Sequence, residues 1–145
     1  TDVLDYALPP KPGQKGLFLM SYESVDGEVT TGMIGCGAQI VCFTTGRGNP
    51  TGHPLAPVIK ITGNHEVYEK LREDFDMDAS GVITKTQPIA ELGEILFRQI
   101  LQVAEGELTS AERHGGDELF CMPRRHGCPM GTADDIQGNY CGIRR

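Results

Sequence analysis

The chain has 145 residues, of which 39% are apolar and 23% charged, a size and composition that suit one compact domain with a moderate core. Thirteen basic against twenty acidic residues give a net charge of −7, which argues against nucleic acid or an anionic lipid surface as partner, because counterion release needs a basic face. No apolar run approaches the roughly 20 residues that span a bilayer, and no basic segment leads into an apolar stretch at the amino terminus, so a cytoplasmic protein is expected.

Thr1 to Gln14, with Pro9, Pro10 and Pro12, reads as an extended arm, since proline blocks helix and biases its predecessor toward extended backbone. Gly16 to Tyr22 is a short continuous apolar run, as in a strand buried on both faces. Val25 to Gly37 is rich in small residues and fits a helix lying close on a sheet. Ala38 to Thr44 and Pro57 to Thr62 are the next strands, each rich in β-branched or aromatic residues. Asn64 is a natural cap for a helix reaching about Asp74, with Val67, Leu71 and Phe75 along one face and Glu66, Glu69, Lys70, Arg72, Glu73 and Asp74 on the wet side. Asp76 to Lys85 reads as a loop, in which Asp76 and Asp78 are turn formers rather than cation ligands. Pro88 in a first turn opens the longest helix, ending near Gly106, with Ile89, Leu92, Leu96, Ile100 and Val103 as its core stripe. Thr109 and Glu112 have capping-box spacing, and Gly115 and Gly116 close that short turn. Glu118 to Met122 is expected as an edge strand.

This alternation predicts an α/β, Rossmann-like three-layer domain, a small, mainly parallel sheet flanked by helices. The divisions are an arm over residues 1–14, the α/β domain over 15–122 and an irregular tail over 123–145. In such open sheets ligands bind beyond the carboxyl ends of the strands. The glycine-rich loop after the second strand begins at such an end. Thr44, Thr45, Gly46, Arg47, Gly48, Asn49 and Thr51 offer backbone N–H groups, hydroxyls, an amide and a fixed cation, donors suited to a carboxylate and its neighbouring hydroxyls. The plainer reading is a tight turn made by Gly46 and Gly48, with Arg47 as a solvated charge.

Gly37-Ala38-Gln39-Ile40-Val41, Phe43-Thr44-Thr45-Gly46-Arg47-Gly48-Asn49-Pro50 and Pro57-Val58-Ile59-Lys60-Ile61-Thr62-Gly63-Asn64 resemble the carboxy-terminal domain of the altronate/galactarate dehydratase family. Leu4-Asp5-Tyr6, Gly16 to Met20, Asp78-Ala79 and the helix from Glu91 to Gly106 extend the likeness over about residues 3 to 120. The resemblance implies a hydro-lyase acting on an aldonic or aldaric acid, dependent on a divalent metal of iron or manganese type. It also implies an enzyme much longer than this chain, so that the remaining domains or subunit of the same enzyme complete the site and the piece alone is inactive. A homo-oligomer is expected. Sulfolactate lyases, which cleave a carbon–sulfur bond, have a similar large-subunit ending, so the leaving group stays open. A first residue that is threonine rather than methionine accords with a chain cut from something longer.

His53 is the histidine of the loop, and its near-neutral pKa suits a general acid protonating a departing hydroxide. The competing reading, favoured because sequence names no partner carboxylate, is a loop histidine making one backbone hydrogen bond. Cys121, His126, Cys128 and Cys141 have ligand types for zinc but match no common zinc spacing, so scattered thiols are the preferred reading. Five cysteines, an odd number with Cys36 and Cys42 in apolar sequence, argue against a disulfide framework. Two other functions stay open: a small-acid binding or regulatory module that uses the loop without chemistry, and an interaction domain that oligomerises through the helix from Pro88 to Glu105 or the tail.

Overall fold

The structure, a computed structural model, describes residues 2–22 and 26–116. The expected strand at Glu118 to Met122, the tail and its cysteines and histidine lie outside the described residues.

Two small parallel sheets form, an α/β arrangement as the alternation of elements requires. In the first, β1 (Asp2–Asp5) pairs with β2 (Phe18–Ser21), Asp2 opposite Phe18 and Asp5 opposite Ser21. The proline-rich segment is therefore not an arm throughout. Its first residues are a strand, and the prolines serve the excursion that brings β2 back alongside β1, opened by Ala7 at φ 57°. The helix α1 (Asp26–Gly35) covers this pair, and its glycines are there for contact. A Cβ on Gly32 would lie 2.3 Å from the Tyr6 ring, and one on Gly35 would lie 2.8 Å from the Ala7 Cβ.

The second sheet has the order β3 (Val41–Thr45), β4 (Val58–Thr62), β5 (Met77–Asp78), all parallel. β4 is central and buried along its whole length, which suits its β-branched residues and also buries Lys60 and Thr62. Ile59 and Ile61 point to one face and form the core with Met77 and Val103, supported by Ile40, Ala79, Leu92, Leu96 and Ile100. Lys60, only 1% exposed, points to the other face with its Nζ 4.1 Å from the centre of the Phe43 ring, so the charge rests on an aromatic face.

The long helix α4 (Ile89–Ala104) supplies Leu92, Leu96, Ile100 and Val103 to the core. Pro88 is extended at φ −62°, ψ 137° and caps the helix rather than entering it, and Ile89 is 75% exposed, so the stripe starts at Leu92 and not at Ile89. Asn64 caps α2 (His65–Lys70), its Oδ1 accepting from the N–H groups of Glu66 at 3.0 Å and Val67 at 3.4 Å. The predicted helix to Asp74 is broken at Leu71 and finishes as a 3-10 turn over Arg72–Asp74.

The segment read as a loop from Asp76 to Lys85 holds the third strand, β5, and a single-turn helix, α3 (Ser80–Ile83). Two paired residues carry no periodicity to read; the strand exists because β4 offers an edge to pair with. The capping box forms, with Thr109 N–H and hydroxyl both on the Glu112 carboxylate at 2.8 Å, and starts α5 (Ser110–Arg113). Gly115 then takes φ +70°. No helix of the described residues is long and apolar enough to cross a membrane.

Candidate functional site

Three parallel strands ending together leave a gap that the following loops must line. A cavity of about 550 Å³ lies there, bounded by Thr44, Thr45 and Gly46 after β3, by Gly63, Asn64 and His65 after β4, and by Ser80, Ile83 and Thr84 beyond β5. Its lining sets threonine and serine side chains beside Gly63 and Ile83. Asn64 ties two of its sides together: while its Oδ1 caps α2, its Nδ2 donates to the carbonyl of Gly46 at 3.4 Å.

A charged pair stands at the rim. His65 Nδ1 donates to Asp78 Oδ2 at 2.8 Å, which fixes the ring and leaves Nε2 as its other polar atom. Asp78 is in turn held by the Ser80 N–H on its Oδ1 at 2.8 Å. The hydrogen bond to Asp78 raises the His65 pKa above its ordinary value, and the charges of Asp78 and Glu69 add to it. Burial is the largest single influence on Asp78 and pushes its carboxyl up. Hydrogen bonds from Ser80 and His65 together outweigh it and hold the carboxyl below the usual range. The pair is therefore an imidazole made more basic by an ionised, anchored carboxylate, with its ring mostly open to solvent.

The residues expected in the loop separate along it. Thr44, Thr45 and Gly46 line the cavity. Arg47 is exposed and does not line it. Gly48 turns away at φ +92°, where a Cβ would lie 3.1 Å from both Val67 and Leu71, so this glycine serves packing against α2. Its N–H donates to Thr45 Oγ1 at 3.2 Å. Asn49 is engaged within the chain at both ends of its amide, Nδ2 donating to Asp26 Oδ2 at 2.7 Å and Oδ1 accepting from Thr51 N–H at 2.8 Å. Thr51 is not among the lining residues.

His53 lies at the opposite end of the sheet. Because β3 and β4 are parallel, the chain from Gly46 to Pro57 must travel back along the strands, about 15 Å for five residues, before β4 can start. Gly52 is wedged on that path, where a Cβ would come within 2.0 Å of the Gly116 carbonyl oxygen and 2.8 Å of the Ala111 Cβ. His53 follows it, 5% exposed, its Nδ1 accepting from the Leu55 N–H at 3.2 Å. That acceptor role puts the proton on Nε2, which has no partner among the described residues. Burial lowers the His53 pKa. It lines a second cavity of about 380 Å³ with Pro54, Leu55 and Glu112, apart from the threonines.

Asp76, two residues before Asp78, is structural in its contacts. Its side chain is 1% exposed and accepts from the N–H groups of Lys60 and Ser110, each at 2.7 Å, joining β4 to the start of α5. Among the described residues no three His, Cys, Asp or Glu side chains converge to hold a metal ion. The described residues therefore do not fit as a complete holder of the expected divalent metal.

The features missed in sequence are His65, Asp78 and Ser80. A signal for His65 was present, since it follows the second strand end as Arg47 follows the first, and the rule about strand termini applies equally to both. Asp78 could be found only with β5 in register, Thr62 opposite Asp78.

Parallel strands with a cavity and an ionisable pair beyond their carboxyl ends define an α/β domain of the kind that binds small ligands at that edge. Residues 1–126 match the model of the D-galactarate/altronate dehydratase carboxy-terminal domain, and the chain belongs to that family. It is 35% identical over 117 residues to the (2R)-sulfolactate sulfo-lyase subunit beta of Chromohalobacter salexigens, which covers 81% of this chain and 30% of that one. It is 36% identical over 121 residues to the altronate dehydratase of Bacillus subtilis, covering 82% and 23%. With the galactarate dehydratase (L-threo-forming) of Escherichia coli it shares 33% over 97 residues, covering 67% and 18%. The chain thus spans less than a third of the length of these relatives.

Proposed function

We propose that this chain is the carboxy-terminal domain of a cytoplasmic sugar-acid dehydratase, and that its cavity binds the polar end of an aldonic or aldaric acid. The observation that carries this reading is the His65–Asp78 pair at 2.8 Å on the rim of the cavity at the strand ends. Thr44, Thr45 and Thr84 address the substrate's hydroxyls and carboxylate, and Arg47, one residue beyond the lining, supplies a cation at the approach. Elimination of water from a hydroxy acid needs a proton removed beside the carboxylate and a proton delivered to the leaving oxygen. His65, oriented through Nδ1 by Asp78, donates from Nε2 to that oxygen, and a base outside the described residues takes the proton from beside the carboxylate. The raised pKa keeps it protonated for this at higher pH than a free imidazole. His53, buried at the other end, is assigned no part in the chemistry.

The rest of the enzyme completes the site, so the 145-residue piece binds the acid without turning it over. A divalent metal, implied by family likeness, would supply charge stabilisation for the elimination and would be held by residues other than those described.

In the full-length enzyme, His65→Gln is expected to lower kcat by about 10²–10⁴ while leaving KM within about threefold, and Asp78→Asn is expected to move the basic limb of the pH–rate profile to lower pH. Unchanged turnover at every pH in His65→Gln would remove the role. A second reading, favoured by the 35% identity to the sulfolactate lyase subunit, is elimination of sulfite from sulfolactate at the same cavity. Assays of the full enzyme on sulfolactate and on sugar acids side by side decide between them.

A further inference from the structure

The cavity at the strand ends is lined unevenly. With β4 between β3 and β5, the residues beyond β3 stand on one flank of it and those beyond β5 on the other. On the β3 flank the hydroxyls are available. Thr44 makes no hydrogen bond among the described residues, and Thr45 Oγ1 accepts from the Gly48 N–H at 3.2 Å, which leaves its own proton for a ligand. On the β5 flank they are engaged. Ser80 is bonded to Asp78 through both its N–H and its side chain, and Thr84 Oγ1 donates to the Ser80 carbonyl at 3.1 Å. What this flank presents instead is Ile83, 69% exposed and the one large apolar side chain among the described lining residues. A Cβ on Gly63 would come within 2.9 Å of its Cδ1, so the side chain lies over the end of β4 and the glycine leaves room for it.

We propose that Ile83 is a specificity-determining residue: it receives the C–H face of the hydroxy-acid chain, so that the cavity selects the stereoisomer whose hydroxyl at the facing carbon points to Thr44 and Thr45. This rests on the reading that the acid binds in this cavity. The physical ground is the difference between the two flanks. A hydroxyl turned to the β3 flank exchanges water for threonine. The epimer turns the same hydroxyl onto Ile83, where water is displaced and no partner replaces it. An apolar surface rejects an added hydroxyl by up to about a hundredfold. Ile83 therefore discriminates by exclusion, while the threonines supply the attraction.

The full-length enzyme assayed on D-altronate beside its epimers D-allonate and D-mannonate, and on galactarate beside its epimer D-glucarate, tests this. The wild type is expected to separate at least one epimer pair by about tenfold to a hundredfold in kcat/KM. Ile83→Val and Ile83→Thr have the same shape and differ by one hydroxyl. The valine variant is expected to keep that ratio within about threefold, and the threonine variant to lower it by about fivefold or more through a gain for the disfavoured epimer. A ratio measured within one preparation does not depend on how much of the variant is folded, and a role in packing alone would move both epimers together. An Ile83→Thr variant with the wild-type ratio, or with both epimers slowed alike, overturns the proposal and leaves the sugar-acid reading in place. So does a wild type that treats every epimer pair alike. A full-length enzyme that turns over sulfolactate and none of these acids overturns the sugar-acid reading, and the role of Ile83 falls with it.

Discussion

Removing the Asp76 carboxylate tests how this small sheet holds together. Asp76 lies between β4 and α5 with 1% of its side chain exposed, and its two oxygens accept from two buried backbone N–H groups, Lys60 and Ser110, both at 2.7 Å. Asp76→Ala leaves both donors without an acceptor in a place that water does not reach. Hydrogen bonds to a charged group contribute about 1.5–3 kcal/mol each, so the loss is about 3–6 kcal/mol. The Arg113 guanidinium, 3.8 Å away and half exposed, adds at most about 1 kcal/mol. Asp76→Asn retains one acceptor oxygen but turns an amide N–H₂ toward a donor, and about 2–4 kcal/mol is expected. Against a total of about 5–15 kcal/mol for a domain, the alanine variant stands close to the unfolding threshold. Urea unfolding followed by far-UV circular dichroism, with a surface Glu69→Ala variant as control, measures these differences. An Asp76→Ala variant within about 1 kcal/mol of the wild type, at unchanged denaturant dependence, would refute the idea that this carboxylate joins β4 to α5.

Histidine titration by NMR is expected to show His65 above the ordinary imidazole range in the wild type and lower in Asp78→Asn, because the hydrogen bond to Asp78 is the main cause of the rise. The folded pKa of His65 exceeds its unfolded one. Its contribution to stability is therefore full below the unfolded value and fades as pH rises through the folded value. Asp78→Asn should abolish that part of the pH dependence; an unchanged His65 midpoint would sink the pairing. For His53 the sign is opposite. Burial lowers its pKa, so stability should fall as pH drops through the ordinary imidazole range, and this part should vanish in His53→Gln. Gly52→Ala is expected to cost about 1–3 kcal/mol or more, since its Cβ would meet the Gly116 oxygen at 2.0 Å, whereas Gly46→Ala has open space and should change stability by a few tenths of a kcal/mol. Equal melting temperatures for the two glycine variants would contradict the close approach of the loop to α5.

Much of the fold could be read from local chemistry. Asn64 and Thr109 are where helices start because a short polar side chain can accept from an N–H two or three residues on, and that bond depends on a handful of neighbours. The β-branched residues from Pro57 to Thr62 announced a strand, and Leu92, Leu96, Ile100 and Val103 declared their shared side at helical spacing, whereas the apolar run from Gly16 to Tyr22, read as a strand buried on both faces, leaves Leu19 54% exposed. Misreadings came where a pairing partner decided the outcome. Asp2–Asp5 became a strand because β2 lies beside it, and Met77–Asp78 because β4 does. Ile89 fits the helical spacing yet is 75% exposed, outside the core that Leu92 enters.

The site shows the same division. Residue types and their order sufficed to place a polar edge at Thr44, Thr45 and Gly46, since a strand followed by glycine and hydroxyls needs no distant information. Sequence alone also carried the family likeness, because motif spacing survives without coordinates. Only the tertiary structure could part His53 from those threonines and bring His65 to Asp78. Parallel pairing sends the intervening chain back along the strands, so closeness in sequence becomes distance in space, while the aligned ends of β4 and β5 set two residues thirteen positions apart within one hydrogen bond of each other.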